Sequence, residues 1–303
     1  MIDILGIGEA LIEFVELDTG LYQQAFAGDV LNTLFYANRL GLKCEFFSTI
    51  GKDSYSKQLC SFFDEEGIIH DNVAASATRN NGLYIVRTNT EGEPSFTFFR
   101  ERSAAKETFL LKTQEECSQI FSASKVLLFS SIGLAIFDEP ERIITAIRAC
   151  PKKPLVYFDT NVRASLWKDL TDLRAMIESL SDIVDVISIS KGDDAQLYEE
   201  RSSTDCIEYF LSLGYRKIIV RDGENPVYFH FDGLTKSIDV EPVKKMIDAT
   251  GAGDAFNAGF LYGLLHQFEI ADAITLGNRS ATQVLKERGG IVRSYSKAMV
   301  INE

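Results

Sequence analysis

The residues best suited to chemistry lie in one run near the C-terminus, Asp248 to Phe260, which reads DATGAGDAFNAGF. Small residues from Ala249 to Gly253 let the backbone approach a ligand closely. The stretch that follows is rich in Ala, Leu and Phe and predicts a helix beginning near Ala252, whose free N–H groups would face an anion. Asp254 would lie in the first turn, where its carboxylate can accept a proton from an attacking hydroxyl. The run therefore predicts an anion site with a general base beside it.

The same run also has a plainer interpretation as an ordinary helix start, because acids and glycines are common there. Two other nucleotide motifs fit poorly. Neither Gly6-Ile7-Gly8 nor Gly251-Ala252-Gly253 is followed by the third glycine of the dinucleotide fingerprint, which weighs against an NAD-dependent enzyme. The sequence also contains no GxxxxGK[ST] loop, which weighs against a P-loop NTPase.

The run closely resembles the D-T-x-G-A-G-D signature of the ribokinase/PfkB sugar kinases, and the similarity covers essentially the whole chain. The resemblance implies a carbohydrate kinase that uses ATP and Mg²⁺, with Asp254 as the catalytic base. The amides of Gly251, Ala252 and Gly253 would form an anion hole for the migrating phosphoryl group. It further implies that a monovalent cation, K⁺ in some members, is held by residues including Asp248 and Thr250.

The sugar side resembles one subgroup of that family, the kinases of the sugar acid 2-keto-3-deoxygluconate. The matching segments occur in the same order as in that subgroup: Gly28 to Thr33, Gly82 to Tyr84, Phe99-Arg100 with Ala104 to Lys106, and Phe158 to Arg163 with Leu166-Trp167. The resemblance implies these substrate-binding residues: Gly28, Asp29, Asn32, Tyr84, Arg100, Arg102, Asp159, Asn161 and Arg163.

A physical argument supports a sugar acid independently of the resemblance. A guanidinium can clamp a carboxylate with paired, charge-assisted hydrogen bonds, and ribose and fructose carry no carboxylate. Arg100, Arg102 and Arg163 are the candidates, although a single arginine is more often a solvated surface side chain. Tyr84 taken alone is typical of strand packing with its hydroxyl outward.

Two alternatives stay open: a kinase of fructose or another neutral sugar, and a non-catalytic sugar-binding protein of the same fold. The intact base and glycine-rich turn argue against the second.

The nucleotide side departs further from the family pattern. Val220 to Gly223 follows an apolar strand and resembles the nucleotide turn, with Asn225 where a glycine is common. Ser190 and Asp193 stand where relatives have the Asn and Glu of an Asn-x-x-Glu motif, so Asp193 would act on Mg²⁺ only indirectly. The resemblance implies these nucleotide-binding residues: Ser190, Arg221, Gly223, Asn257 and Asn278.

The elements that must position these residues alternate between apolar, strand-length runs and helix-like stretches. Such alternation indicates βαβ units and a mostly parallel sheet covered on both faces. We therefore expect a ribokinase-like α/β fold, a three-layer α/β/α domain that spans 1–303. The nucleotide-binding part would occupy about 185–303.

Two segments, 11–27 and 83–101, break the alternation because they look like strands with no helix between them. The second contains Asn89 to Gly92, which predicts a hairpin turn. We expect a small β-sheet lid that closes over the sugar, or alternatively an extra antiparallel edge of the main sheet. An exposed lid edge would also favour a dimer or a higher homo-oligomer.

Composition limits the partners and the compartment. The 303 residues carry a formal net charge of -13, which disfavours nucleic acid and anionic membranes as partners. The five cysteines are scattered and form no CxxC pair, which is typical of reduced thiols in a cytoplasmic protein. No secretory leader or membrane-length apolar run is seen, so we expect a cytoplasmic enzyme with a sugar acid and ATP as its ligands.

Overall fold

The computed structural model describes residues 1–18, 20–88, 94–243 and 245–301, and within them the strands form two separate sheets. The strands are β1 (Ile2–Ile7), β2 (Leu11–Asp18), β3 (Leu21–Ala27), β4 (Cys44–Ile50), β5 (Val73–Ala75), β6 (Gly82–Thr88), β7 (Pro94–Phe99), β8 (Ser124–Ser130), β9 (Leu155–Asp159), β10 (Val186–Ser190), β11 (Ile218–Asp222), β12 (Asn225–Phe231) and β13 (Leu234–Ile238).

The helices follow the strands in the order that the alternation predicts. They are α1 (Asp29–Arg39), α2 (Ser54–Glu66), α3 (Gln114–Ser122), α4 (Ser131–Ile136), α5 (Glu141–Arg148), α6 (Leu170–Ser179), α7 (Lys191–Leu197), α8 (Ser203–Ser212), α9 (Ala252–Leu265), α10 (Ile270–Val284) and α11 (Lys297–Val300). Across the described ranges, no helix is long and apolar enough to cross a membrane.

The main sheet has nine strands in the order β13-β12-β11-β10-β9-β8-β1-β4-β5. Every pairing from β11 to β5 is parallel, and β12 and β13 add an antiparallel hairpin at one edge. Central strands such as β4 are buried along their whole length, because helices cover both faces.

Alternate residues of the central strands enter two different cores. Val126 and Leu128 of β8 pack in the core that contains α1, α2, α9 and α10. Leu127 and Phe129 point to the opposite core, built from α3, α5, α6 and α8. The predicted three-layer α/β/α architecture is confirmed.

The smaller sheet, which we call the lid sheet, contains four strands in the order β3-β2-β6-β7. It shares no strand with the main sheet among the described residues, so the alternative of an extra edge on the main sheet is wrong. The central pair β2 and β6 is parallel, whereas the outer pairs are antiparallel. The predicted turn at Asn89 to Gly92 lies outside the described residues.

Helix α9 begins at Ala252, as the sequence predicts, and places Asp254 in its first turn. The residue before it, Gly251, has φ +77°, in the left-handed region that favours glycine. A Cβ added there would lie 2.5 Å from the carbonyl oxygen of Gly290, so the turn also requires a residue without a side chain.

Candidate active site

A cavity of about 1080 Å³ lies between the lid sheet and the carboxyl ends of β1, β9, β10 and β11. In open parallel sheets, ligands bind at this end of the strands. The cavity wall brings together most of the predicted site residues: Gly28, Asp29, Asn32, Tyr84, Arg100, Asp159, Asn161, Arg163, Ser190, Asp193, Arg221, Gly223, Thr250, Gly251, Ala252, Gly253, Asp254 and Asn278.

Asp254 is a buried carboxylate on this wall. Its Oδ2 accepts a hydrogen bond of 2.8 Å from Nδ2 of Asn32, which joins the first turn of α9 to α1. Burial and the nearby charge of Asp29 raise the pKa of Asp254 to about 8, against the opposing hydrogen bond from Asn32. Asp254 therefore has the basicity of a general base that works near neutral to mildly alkaline pH.

Free amides surround this carboxylate at the start of α9. The N–H groups of Gly251, Gly253 and Asp254 have no acceptor within the described part of the chain. The N–H of Ala252 differs, because it donates to the carbonyl oxygen of Ala249 at 3.2 Å. The predicted anion hole thus has Gly251 and Gly253 available, with the amide of Asp254 in addition and that of Ala252 partly used.

Asp248 fixes the shape of the turn that precedes α9. Its Oδ1 accepts from the N–H and the hydroxyl of Thr250 at 2.9 and 2.7 Å, and its Oδ2 accepts from the N–H of Gly289 at 2.9 Å. These donors hold the pKa of Asp248 below its usual value against the cost of burial. Thr250 lies on the cavity wall, whereas Asp248 lies behind it. Their role in holding a monovalent cation stays a prediction.

Asp29 lies on the cavity wall at the start of α1. Its Oδ2 accepts hydrogen bonds from the Ser130 hydroxyl at 2.5 Å and from Nδ2 of Asn161 at 3.0 Å. Asn161 adopts φ +31°, which is unusual for a residue with a side chain and indicates that the loop after β9 is tightly constrained. Asp29 and Asn161 therefore position each other on the cavity wall.

Asp159 is engaged by protein groups on both oxygens. Oδ1 accepts from Nη2 of Arg221 at 2.7 Å, and Oδ2 accepts from Nδ2 of Asn257 at 2.6 Å. Asn257 in turn accepts from the hydroxyl of Tyr157 at 2.7 Å. The interpretation of Asp159 as a sugar ligand is therefore less well supported than a role in holding Arg221.

Asn257 is absent from the cavity wall, and its predicted place beside the nucleotide stays a prediction. Its side chain is 1% exposed and lies beneath the cavity floor, not on the wall. Asn257 lies on α9 three residues after Asp254, and there its amide faces the sheet and bonds to Asp159. Asn278 of α10 does line the cavity, as predicted.

Ser190 and Asp193 organise the loop that follows β9. The Ser190 hydroxyl caps α7 by accepting from the N–H of Asp193 at 3.0 Å. The two oxygens of Asp193 accept from the Thr160 hydroxyl at 2.7 Å and the N–H of Val162 at 3.0 Å. Asp193 thus fixes the backbone that carries Arg163.

The four predicted arginines have different surroundings. Arg221 is paired with Asp159, and Nη1 of Arg100 lies 3.4 Å from Oε2 of the buried Glu9. Arg163 is exposed, donates to its neighbouring carbonyl at Val162, and contacts no carboxylate of the described ranges. Arg102 lies in a separate depression of about 490 Å³, so the structure does not bring it into the main cavity.

The lid sheet contributes an aromatic wall. Tyr84 is buried and lines the cavity, and its hydroxyl donates a hydrogen bond to Glu13. Phe96 and Phe98 lie beside it on the same wall. Tyr84 therefore combines lid packing with a place on the substrate side.

Sequence reasoning missed two buried acids, Glu9 and Glu13. Glu13 shares a strand face with Leu11 and Val15, which pack with Tyr84 in the small lid core. An acid on the apolar face of an alternating strand was a signal that could have identified Glu13. Glu9 had no such signal, because it precedes the strand and its burial depends on the lid.

Comparisons with known proteins identify the family of the chain. A family model described as pfkB family carbohydrate kinase matches residues 1–297. The 2-dehydro-3-deoxygluconokinase of Haemophilus influenzae is 29% identical over 297 residues, which cover 94% of both chains. The 2-dehydro-3-deoxygluconokinase of Escherichia coli K12 is 29% identical over 302 residues, or 94% of this chain and 96% of the relative.

Solved structures share the fold at lower identity. The PfkB protein from Polaromonas sp. JS666 superposes with a TM-score of 0.85, at 24% identity and 98% coverage of both chains. An E. coli protein named as a candidate ribokinase II, crystallised with ATP and Mg²⁺, gives a TM-score of 0.86 at 19% identity, covering 99% of this chain and 98% of that chain. The ATP-bound fructokinase from Xylella fastidiosa gives 0.81 at 22% identity, covering 95% and 93%.

Proposed function

The chain belongs to the pfkB family of carbohydrate kinases, and we propose that it phosphorylates 2-keto-3-deoxygluconate (2-dehydro-3-deoxygluconate) to the 6-phosphate with ATP. The observation that carries the kinase chemistry is Asp254, buried beside free helix amides. The proposed substrate rests on Arg163, which lines the cavity and contacts no carboxylate among the described residues. The carboxylate of the sugar acid would bind Arg163, with Arg100 of the same cavity as a supporting partner.

In this mechanism Asp254 accepts the proton of the sugar hydroxyl as that oxygen attacks the γ-phosphoryl group. Asn32 orients the carboxylate through its hydrogen bond to Oδ2. The free amides at the start of α9 donate to the oxygens of the migrating phosphoryl group, whose charge is spread over them. Positioning and charge stabilisation dominate the rate of such a transfer.

The residues on the nucleotide side fit ATP accompanied by Mg²⁺. Arg221 and Gly223 lie at the end of β11, and Asn278 faces them from α10 across the same cavity. Bound Mg²⁺ would offset the charge of the phosphates. Asp193 would orient water on the metal, because each of its oxygens already accepts one protein hydrogen bond and retains lone pairs for a second.

The experiment is a coupled assay of ADP release across a panel of sugars at equal concentration. We expect kcat/KM for 2-keto-3-deoxygluconate to exceed that for fructose and ribose by at least tenfold. One charge-assisted hydrogen bond is worth about 1.5–3 kcal/mol, which corresponds to roughly ten- to a hundredfold. The position of the new phosphate on the sugar would be determined by NMR.

A neutral-sugar kinase is the second candidate, because the X. fastidiosa neighbour is a fructokinase. Efficient turnover of fructose would move the assignment there and leave the fold and the role of Asp254 in place. Binding of sugars without any release of ADP would instead favour a non-catalytic sugar-binding protein.

A further inference from the structure

Glu9 is a buried acid at the sugar end of the cavity, directly beside Arg100. Its side chain is 2% exposed, and its Oε1 has no hydrogen-bond partner within the described residues. Nε of Arg100 is also buried and without a partner there. Two glycines make room for Glu9: an added Cβ at Gly28 would meet its carbonyl oxygen at 2.1 Å, and one at Gly82 would meet Oε1 at 2.9 Å.

The position of Glu9 creates a conflict for an anionic substrate. Arg100 carries one positive charge, and the carboxylate of Glu9 already balances it. A second carboxylate brought to Arg100 would face Glu9 in a buried site, where like charges repel strongly. Binding of a substrate carboxylate to Arg100 is therefore disfavoured while Glu9 is ionised.

We propose that Glu9 determines specificity for sugar acids by taking up one proton from solvent when the substrate carboxylate binds Arg100. The substrate then replaces Glu9 as the anionic partner of Arg100. The neutral Glu9 carboxyl becomes a hydrogen-bond donor, and its unpartnered oxygen becomes available to the ligand. This inference rests on the proposed sugar-acid substrate.

The groups around Glu9 favour this exchange. Burial raises the pKa of Glu9, the charge of Arg100 and the hydroxyl of Ser103 oppose that rise, and the charge of Asp29 on α1 adds to it. A substrate carboxylate would cancel the effect of Arg100, so the pKa of Glu9 rises further on binding. Binding of the sugar acid would therefore consume a proton and weaken as the pH increases.

The direct test is calorimetry of 2-keto-3-deoxygluconate binding in two buffers with different ionisation enthalpies. The protein is the Asp254→Asn variant without ATP, so that Asp254 contributes no proton and no turnover occurs. We expect uptake of roughly half to one proton for each sugar acid bound near pH 7, and none for fructose. Zero uptake with the sugar acid would overturn the inference, even if Glu9→Gln does not fold.

The second test is the pH dependence of KM in the active enzyme. In the unmutated enzyme KM for the sugar acid should rise with pH, by up to about tenfold per pH unit. Glu9→Gln should flatten that rise and lower KM at pH 8, because Arg100 is then free. Glu13→Gln is the matched control, a buried acid of the lid sheet that bonds Tyr84 instead of Arg100 and should keep the original profile.

The outcomes separate this inference from the proposed function. No turnover of 2-keto-3-deoxygluconate by the unmutated enzyme would contradict the proposed substrate. Turnover with the same pH profile in the unmutated and Glu9→Gln enzymes would leave the substrate standing and refute the role of Glu9.

Discussion

Asp254 holds its proton under conditions where most aspartates have lost theirs, since its pKa is raised to about 8. A general base must be deprotonated to act, so a raised pKa of Asp254 predicts activity that increases as the pH rises. Burial is the largest cause of this shift, and in the proposed mechanism it would also keep water away from the phosphoryl group. The buried environment therefore makes Asp254 a stronger base and raises the pH at which its carboxyl group becomes ionised.

We predict that Asp254→Asn lowers kcat by about 10²–10⁴-fold while sugar and ATP still bind, because the amide keeps the shape but cannot accept the proton. In the unmutated enzyme kcat/KM for an accepted neutral sugar, whose binding does not involve the Glu9 proton, should rise with pH and level off above about 8. Steady-state kinetics from pH 6 to 9 with calorimetry of both ligands checks this. A variant that keeps more than about a tenth of kcat would exclude the role.

Arg163 is the residue with the sharpest expected effect on substrate choice. We predict that Arg163→Ala lowers kcat/KM for the sugar acid by about ten- to a hundredfold, and for a neutral sugar much less. Arg163→Lys should recover only part of the loss, because lysine keeps the charge but loses the paired donors. Arg102→Ala is the matched control, since Arg102 lies outside the main cavity. Equal losses on both kinds of sugar would make Arg163 structural.

At the scale of elements, the start of α1 depends on Gly28. Its φ of +147° favours glycine, and an added Cβ would press on the carbonyl oxygen of Glu9. We predict that Gly28→Ala lowers the free energy of unfolding by about 1–3 kcal/mol more than Gly41→Ala. Gly41 also has positive φ, +100°, but nothing lies within 4 Å of its added Cβ. Denaturant titration of both variants measures the difference, and equal losses would show that the contact relaxes.

The lid sheet should respond to sugar as a unit. We predict that hydrogen exchange in 11–27 and 83–101 slows when sugar is added, because closure over the cavity would protect those amides and exclude water. Helix α3 lies on the far face of the main sheet and serves as the internal control. Protection of the main sheet without protection of these segments would contradict a lid.

The sequence predicted the elements better than their partners. Apolar runs identified β1, β8, β9 and β11, and the small-residue run identified the start of α9, because those signals are local. The parallel pairing of β2 with β6 was not predictable, since it joins segments far apart in the chain. The burial of Asn257 was not predictable for a related reason: its helix was predicted, but the direction of its side chain depends on packing against Asp159.

The whole molecule leaves the lid sheet with two outer strands, β3 and β7, available for pairing. We predict a dimer that forms through the β3 edge of the lid sheet. Leu21 is 63% exposed at the start of β3, so we expect Leu21→Lys to give monomers. Leu234→Lys is the matched control, at the start of the outer strand β13 and 59% exposed. Light scattering measures the molar mass in solution of the unmutated protein and of both variants. A monomeric unmutated protein, or a Leu21→Lys dimer, would exclude this interface.

The hydrogen bond between Asn32 and Asp254 joins residues 222 positions apart, and the Tyr36 hydroxyl similarly donates to Gly290 at 2.7 Å. During translation the first residue of each pair is therefore synthesised well before its hydrogen-bond partner. At about 5–20 residues per second, that delay is on the order of ten to fifty seconds. During this delay the nascent chain contains Asn32 but not its hydrogen-bond partner Asp254. A chain that ends before α9 lacks Asp254, so we expect such a fragment to transfer no phosphoryl group from ATP to a sugar.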